Sequence, residues 1–224
     1  MLDLAAGTGK LTRQLVPTGA TVIAVEPLGE MRAQLARVLP AVEALDGTAE
    51  SIPLADGSVD AVTVAQAFHW FDVGGTAAEL HRVLRPRGSL AIMWNTRDPA
   101  FPLHDAISDV IEPHRVAVPT HRSQQWQPEL AATGLFAGPD ERVFRHVHVV
   151  DVETLVERYA SVSFIAALPN DRRAEVLGEI RTLAEGYEEP IEYPYLTRVY
   201  VYNRVQAPRT RDHPSNGRGS SDEG

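Results

Sequence analysis

The chain has 224 residues, 44% of them hydrophobic, enough to build a core as one domain. Its net charge of −9 argues against nucleic acid as a partner, because phosphate backbones are bound by surplus Lys and Arg. The absence of Cys excludes disulfides, thiolate zinc ligands and thiol nucleophiles; with no charged leader and no apolar run of about 18 residues, no membrane span is expected and the location expected is cytoplasmic.

The first predicted element is an apolar strand, 1–5, whose sequence Leu2-Asp3-Leu4-Ala5 carries an acid and then breaks into Ala6-Gly7-Thr8-Gly9. An amphipathic helix over 9–16 follows, then a strand at 21–26 ending in Glu26, a helix at 28–38 and a short strand at 42–45. A loop holding Pro53 and Gly57 leads to a strand at 60–65 and a helix at 73–84; Arg85-Pro86-Arg87-Gly88 then acts as a stop before a strand at 89–94. Strands alternating with helices predict right-handed crossovers and a parallel sheet covered on both faces. Beyond Asn95 the pattern loosens into helices at 103–117, 126–133, 152–162 and 171–186, with strands at 143–150 and 196–204. Those two strands alternate Val, Phe and Tyr with Arg, His and Asn, as a sheet edge with one wetter face does. Residues 207–224 lack aliphatic and aromatic side chains beyond Ala and predict a disordered tail.

A glycine turn between a first strand and a helix admits three chemistries. A phosphate loop needs Gly where Leu4 stands and Ser or Thr where Leu11 stands, so that reading fails. A dinucleotide fingerprint needs a third Gly where Thr12 stands, which weakens nucleotide reduction chemistry as an explanation. The acid at the strand end is extra to both patterns and suits a ligand with a positive group beside a carboxylate, as in the methionine part of S-adenosylmethionine. Glu26 lies 17 positions after Gly9, at the end of the next strand, where an acid can accept from ribose hydroxyls; taken alone it reads equally well as a solvated strand-end acid.

Four segments follow in order: Leu2-Asp3-Leu4-Ala5-Ala6-Gly7-Thr8-Gly9, Val25-Glu26-Pro27, Gly47-Thr48-Ala49-Glu50-Ser51-Ile52-Pro53-Leu54 and Asp56-Gly57-Ser58-Val59-Asp60. This series resembles the class I S-adenosylmethionine-dependent methyltransferases, specifically the small-molecule methyltransferase type 11 group. The segment Ala65-Gln66-Ala67-Phe68-His69-Trp70-Phe71 is similar to the trans-aconitate methyltransferase-like subset. The resemblance covers residues 1–95 well and is looser to about 205. It implies an α/β fold: a Rossmann-like doubly wound sheet, mostly parallel, with an antiparallel C-terminal edge pair. It implies S-adenosyl-L-methionine as cofactor and a small-molecule acceptor, a carboxylic acid among the candidates, methylated by in-line displacement. By the same resemblance Gly7 and Gly9, with Ala5, would line the methionine moiety and Asp3 would face its amino group. Glu26 would hold the ribose and Pro27 would lie against the adenine. Thr48 occupies a position where many members have Asp, which shifts the adenine contact toward the Ala49 backbone. Gln66 would stand where methyl and acceptor meet.

His69 is the candidate base and Trp70 a candidate wall of the acceptor pocket, with packing of the 73–84 helix as the alternative role of the cluster. His146 and His148 share one face of a predicted strand, but no carboxylate completes a metal spacing and no metal is expected. Arg97 and Arg122 would pair an acidic acceptor or serve as surface charge. The stretch Tyr187-Glu188-Glu189-Pro190-Ile191-Glu192-Tyr193-Pro194-Tyr195 borders the acceptor opening or forms an exposed connector. Members of the family usually carry a segment ahead of the first strand, whereas Met1 lies inside it here. The expectation is therefore an N-terminally short methyltransferase domain over 1–206, its site open on one side, with a non-catalytic cofactor-binding or partner-binding remnant as the alternative.

Overall fold

The computed structural model describes residues 1–115 and 125–206. The N-terminal half alternates β1 (Leu2–Leu4), α1 (Thr12–Leu15), β2 (Ile23–Val25), α2 (Gly29–Val38), β3 (Glu43–Leu45), β4 (Val59–Ala65), α3 (Val73–Val83) and β5 (Leu84–Arg97). It continues through α4 (Pro102–Ile111), α5 (Trp126–Ala132), β6 (Phe136–Val150), α6 (Val152–Ala160), α7 (Ser163–Ala166), α8 (Asn170–Ala184) and β7 (Ile191–Arg204). The seven strands form one sheet in the order β3-β2-β1-β4-β5-β7-β6. The first five are parallel, while β7 runs antiparallel to both β5 and β6. This is the α/β, mostly parallel sheet with an antiparallel edge pair that the sequence predicts.

Leu2 and Leu4 of β1 are buried, with Val62 and Val64 of β4 alongside them at the register Leu2↔Val62 and Leu4↔Val64. Chain order reverses between β1 and β4, and the crevice beyond the carboxyl ends of strands at such a point is where open α/β sheets take ligands. One core lies along β1, β4 and β5 beneath α3 and α5. A second packs α4, α6 and α8 against the start of β7 through Leu103, Leu155, Ile180 and Tyr193. The two tyrosines buried in it, Tyr159 and Tyr193, satisfy each other hydroxyl to hydroxyl at 2.7 Å.

Several predicted boundaries move. Arg85-Pro86-Arg87-Gly88 does not separate helix from strand. It is a bulge inside β5, where Leu84 pairs Val59 and Ser89 next pairs Ala61, with Arg87 in the left-handed region at φ 69°. The first helix shrinks to one turn, followed by a 3-10 turn over Val16–Thr18, because Pro17 and Gly19 end it. The edge strands are longer than predicted. Their ladder runs from Phe136↔Arg204 to Val150↔Ile191, and backbone pairing with β7 holds segments whose side chains show no clean alternation. The predicted tail at 207–224 lies outside the described residues.

Candidate functional site

The chain leaves β1 through two left-handed residues, Ala5 at φ 55° and Gly7 at φ 57°. Gln66, just past the carboxyl end of β4, is also left-handed at φ 61°. Ala5 and Gln66 each carry a cost of about 1 to 2 kcal/mol for that conformation, and both stand at the switch point. Gly9, at φ 82°, packs differently from the expectation. A Cβ there would meet Leu35 Cγ at 3.0 Å and Leu39 Cδ1 at 3.1 Å, so this glycine lets the turn close on α2 and its neighbours. Of the two turn glycines, Gly7 lines a cavity and Gly9 packs against Leu35 and Leu39.

Asp3 is 1% exposed. Its Oδ2 accepts from the Thr12 hydroxyl at 2.6 Å and its Oδ1 from the Thr63 hydroxyl at 3.2 Å. Burial raises its pKa from an ordinary 3.8 to about 6, against the opposing pull of those hydroxyl bonds. Among the described residues no cation pairs with it. Thr12 is therefore the partner of Asp3, and it occupies the very position whose lack of glycine argues against dinucleotide binding.

Glu26, 5% exposed, has Oε2 accepting from the Gly7 backbone N–H at 2.8 Å and Oε1 from the Leu28 N–H at 2.9 Å. It ties the glycine turn of β1 to the end of β2. Each carboxylate oxygen keeps a second lone pair, so the turn and one further donor can share it.

Three cavities surround this point. The first, about 610 Å³, is lined by Asp3, Ala5, Gly7, Lys10, Gln66, Asn95 and Thr197, among others. The second, about 230 Å³, lies across Ala5 and is lined by Pro27, Thr48, Ala49, Glu50, Trp70 and Phe71. The third, about 610 Å³, is bounded by Arg97, Arg115, Arg158, Arg198, His104 and Tyr195, and it shares Asn95 with the first. Asp3, Ala5, Gly7 and Gln66 are thus brought to one space, and Pro27, Thr48 and Ala49 to its neighbour. Glu26 lines none of the three and meets the first through Gly7.

His69 also lines none of the three. It stands in a 3-10 turn, Phe68–Trp70, with ring centroids 4.6 Å from Trp70 and 5.1 Å from Trp94. The imidazole lies tilted against both indoles, with interplanar angles of 41° and 50°. Trp70 is 59% exposed and walls the small cavity beside Thr48, not the arginine-lined one. Tyr195, expected in a border or connector, is part of β7 and lines the arginine cavity; Tyr193 beside it is fully buried.

Arg97 lies over the Tyr159 ring at 4.9 Å, and Arg158 lies over Tyr195 while donating to its hydroxyl at 2.9 Å. Arg115 and Arg198 are engaged by Glu112 and Glu141, whereas Arg97 and Arg158 meet no carboxylate among the described residues. Burial lowers the pKa of His104, on the same wall, below the ordinary imidazole value, against the opposing pull of its bond to the Pro194 carbonyl. Arg122 and His121 lie outside the described residues. On β6, His146 stacks on Tyr195 and His148 lies tilted against the same ring, and among the described residues no group of three or more metal-ligating side chains occurs. Sequence reasoning missed Arg158, Arg198, Asn95 and Thr197, because β5 is paired with β7 about a hundred residues later and Arg158 comes to the same cavity from α6.

Residues 2–92 match the family model described as a methyltransferase domain. An uncharacterized methyltransferase of Mycobacterium tuberculosis is 39% identical over 206 residues, covering 88% of this chain and 80% of the relative. The chain belongs to the class I S-adenosylmethionine-dependent methyltransferases. A putative type II methyltransferase from Anaeromyxobacter dehalogenans shares the fold of this methyltransferase at a TM-score of 0.67, with 21% identity and coverage of 91% of this chain and 88% of that one. A geranyl diphosphate methyltransferase solved with S-adenosylmethionine is similar at a TM-score of 0.52, with 15% identity and coverage of 91% and 77%. No helix among the described residues is long and apolar enough to cross a membrane.

Proposed function

We propose that residues 1–206 act as one unit that binds S-adenosylmethionine at the glycine turn and methylates a small-molecule carboxylate held by the arginine cavity. One observation carries the reading. Asp3 is a buried carboxylate that no cation pairs among the described residues, set on the wall of a cavity beside a left-handed glycine turn. An ionised acid in that setting is unfavourable alone and is matched by a ligand bearing a positive group. The sulfonium cofactor carries such charge, and the solved geranyl diphosphate methyltransferase, which holds that cofactor on the same fold, supports the assignment.

Asp3 would meet the cationic end, Gly7 would let the backbone approach, and Pro27, Thr48 and Ala49 would enclose the adenine in the smaller cavity. Glu26 holds the turn through Gly7 and would keep a lone pair for a ribose hydroxyl. When bound, the cofactor supplies an activated methyl whose carbon–sulfur bond breaks as an acceptor carboxylate oxygen bonds to carbon, releasing S-adenosylhomocysteine without moving a proton. No base is required for such an acceptor, so His69 need not take up a proton. Arg97 and Arg158 would fix the carboxylate, since charge-assisted bonds from guanidinium to carboxylate are the strong ones available here. The protein's main contribution is orientation of two reactants. A sequence without Cys suits work in a reducing cytoplasm, the location we propose.

Calorimetric titration with S-adenosylmethionine, followed by transfer of radiolabelled methyl to a panel of mono-, di- and tricarboxylic acids, tests the reading. Saturable binding and a base-labile labelled ester are expected. Binding without any labelled acid would overturn the carboxylate assignment, and no binding would overturn the whole.

A further inference from the structure

Asn95 is the residue shared by the cofactor-side cavity and the arginine cavity, and it is held from two directions. Its backbone carbonyl accepts from Gln66 Nε2 at 3.3 Å, a side chain whose own backbone is left-handed. Its side-chain Oδ1 accepts from the Thr197 hydroxyl at 2.6 Å. Thr197 has one hydroxyl proton, and this bond uses it. The 3.4 Å contact from His146 Nδ1 to the same oxygen therefore has the imidazole as donor. His146 is in turn stacked on Tyr195, with ring planes 18° apart.

The chain His146, Thr197, Asn95 fixes which way the carboxamide faces. With Oδ1 committed to Thr197, the Nδ2H2 group is the end left to donate at the junction. We propose that Asn95 orients the methyl acceptor by donating from Nδ2 to its carboxylate, with Thr197 and His146 as positioning residues that hold the amide in that sense. This rests on the carboxylate reading above and deepens it: arginines bind the acid, and Asn95 turns it. Arginine pairing alone fixes charge; an oriented donor at the junction is what would select a carboxylate able to present one oxygen toward the cofactor side.

Asn95 and Thr197 can be altered without disturbing a core, because Asn95 is exposed and Thr197 half-buried. Asn95→Asp keeps the Thr197 bond, replaces the donor by an acceptor and adds a negative charge that repels a carboxylate. Thr197→Val removes the latch, and Thr197→Ser restores it. Each variant is assayed against the carboxylic acid that wild type methylates best, and citrate binding to the S-adenosylhomocysteine-loaded protein is titrated in parallel. Asn95→Asp is expected to lower kcat/KM at least a hundredfold and to weaken citrate at least tenfold. Thr197→Val is expected to lower kcat about tenfold through loss of one orienting bond, with KM changed less, and Thr197→Ser to recover most of it. If wild type methylates an acid and Asn95→Asp does so equally well, Asn95 does not orient the acceptor and the inference falls alone. If Thr197→Ser is as impaired as Thr197→Val, the latch is overturned. If wild type methylates no acid, the carboxylate reading falls and takes this inference with it.

Discussion

Replacing Asp3 by Asn keeps the shape of the side chain and removes the charge that its surroundings oppose. The hydrogen bonds survive the change. Thr12 still donates to the amide oxygen, and Thr63, which lies 3.2 Å from both Asp3 Oδ1 and the Leu2 carbonyl, can accept from the new amide nitrogen and donate to Leu2. Raising the carboxyl from 3.8 to about 6 makes its ionisation cost about 3 kcal/mol in the folded protein at neutral pH. The sign follows from linkage. A folded pKa above the unfolded one favours the fold fully below pH 3.8, and that contribution is lost as pH rises through about 6. Asp3→Asn should therefore be more stable than wild type at pH 7 in the absence of ligand, by up to about 3 kcal/mol, or about 6 to 12 °C in Tm for a chain of this size. At pH 5 the gap should narrow by about 1.3 kcal/mol, because wild-type Asp3 then takes up its proton. Urea unfolding of both proteins at the two pH values measures it. A variant less stable than wild type at pH 7, or a gap that ignores pH, would refute the claim that Asp3 is an uncompensated buried acid. The same variant should bind S-adenosylmethionine at least tenfold more weakly, so that stability and binding move in opposite directions.

Other consequences are smaller in reach. Wild-type affinity for S-adenosylmethionine should fall as pH drops below about 6, by up to about tenfold per unit, and Asp3→Asn should show no such dependence in calorimetric titrations between pH 5 and pH 8. Gly9→Ala should cost about 2 to 4 kcal/mol in urea unfolding, since it adds a left-handed penalty to a clash with Leu35 and Leu39; Gly19→Ala, at φ 83° with nothing near its Cβ, should cost only about 1 to 2. Arg97→Gln and Arg158→Gln should each raise KM for a carboxylate acceptor about tenfold or more while leaving cofactor affinity in place, and equal KM values would exclude the arginine cavity as the acceptor site.

The parallel half of the fold was legible because each strand ends in its own punctuation. Leu2 to Leu4 is buried throughout, with Asp3 between two leucines, and breaks at Ala5; Thr21 to Glu26 is an apolar run that ends in an acid, so alternation with helices leaves few topologies to consider. Residues 85–88 misled for an identifiable reason. Pro86 and Gly88 carry the same signal in a bulge as in a turn, and only the pairing of Leu84 with Val59 tells them apart. The edge pair was half seen because pairing to β7 is non-local and its register, Asn95↔Thr197, leaves no trace in either segment alone.

Thr12 shows how far a sequence pattern reaches into a site. Its lack of glycine counts against a dinucleotide, which is a statement about what the turn does not do. What the hydroxyl does is donate to Asp3 at 2.6 Å, and Thr63, a polar residue in the apolar run of β4, donates to the other oxygen. A strand-end acid followed nine residues later by Thr, with a second Thr inside the neighbouring strand, is therefore a readable signature of a buried carboxylate held ready for a cation. His69 runs the other way. An imidazole beside a strand's carboxyl end reads as a base on type and position alone, and what the sequence does not give is its setting: it lies tilted against two indoles that line different cavities. Hydroxyls around an acid act over one hydrogen bond and can be matched by spacing along adjacent strands. Ring stacking depends on how a turn folds over a helix start, and that geometry is set by packing with Trp94 from a strand some 25 residues further on.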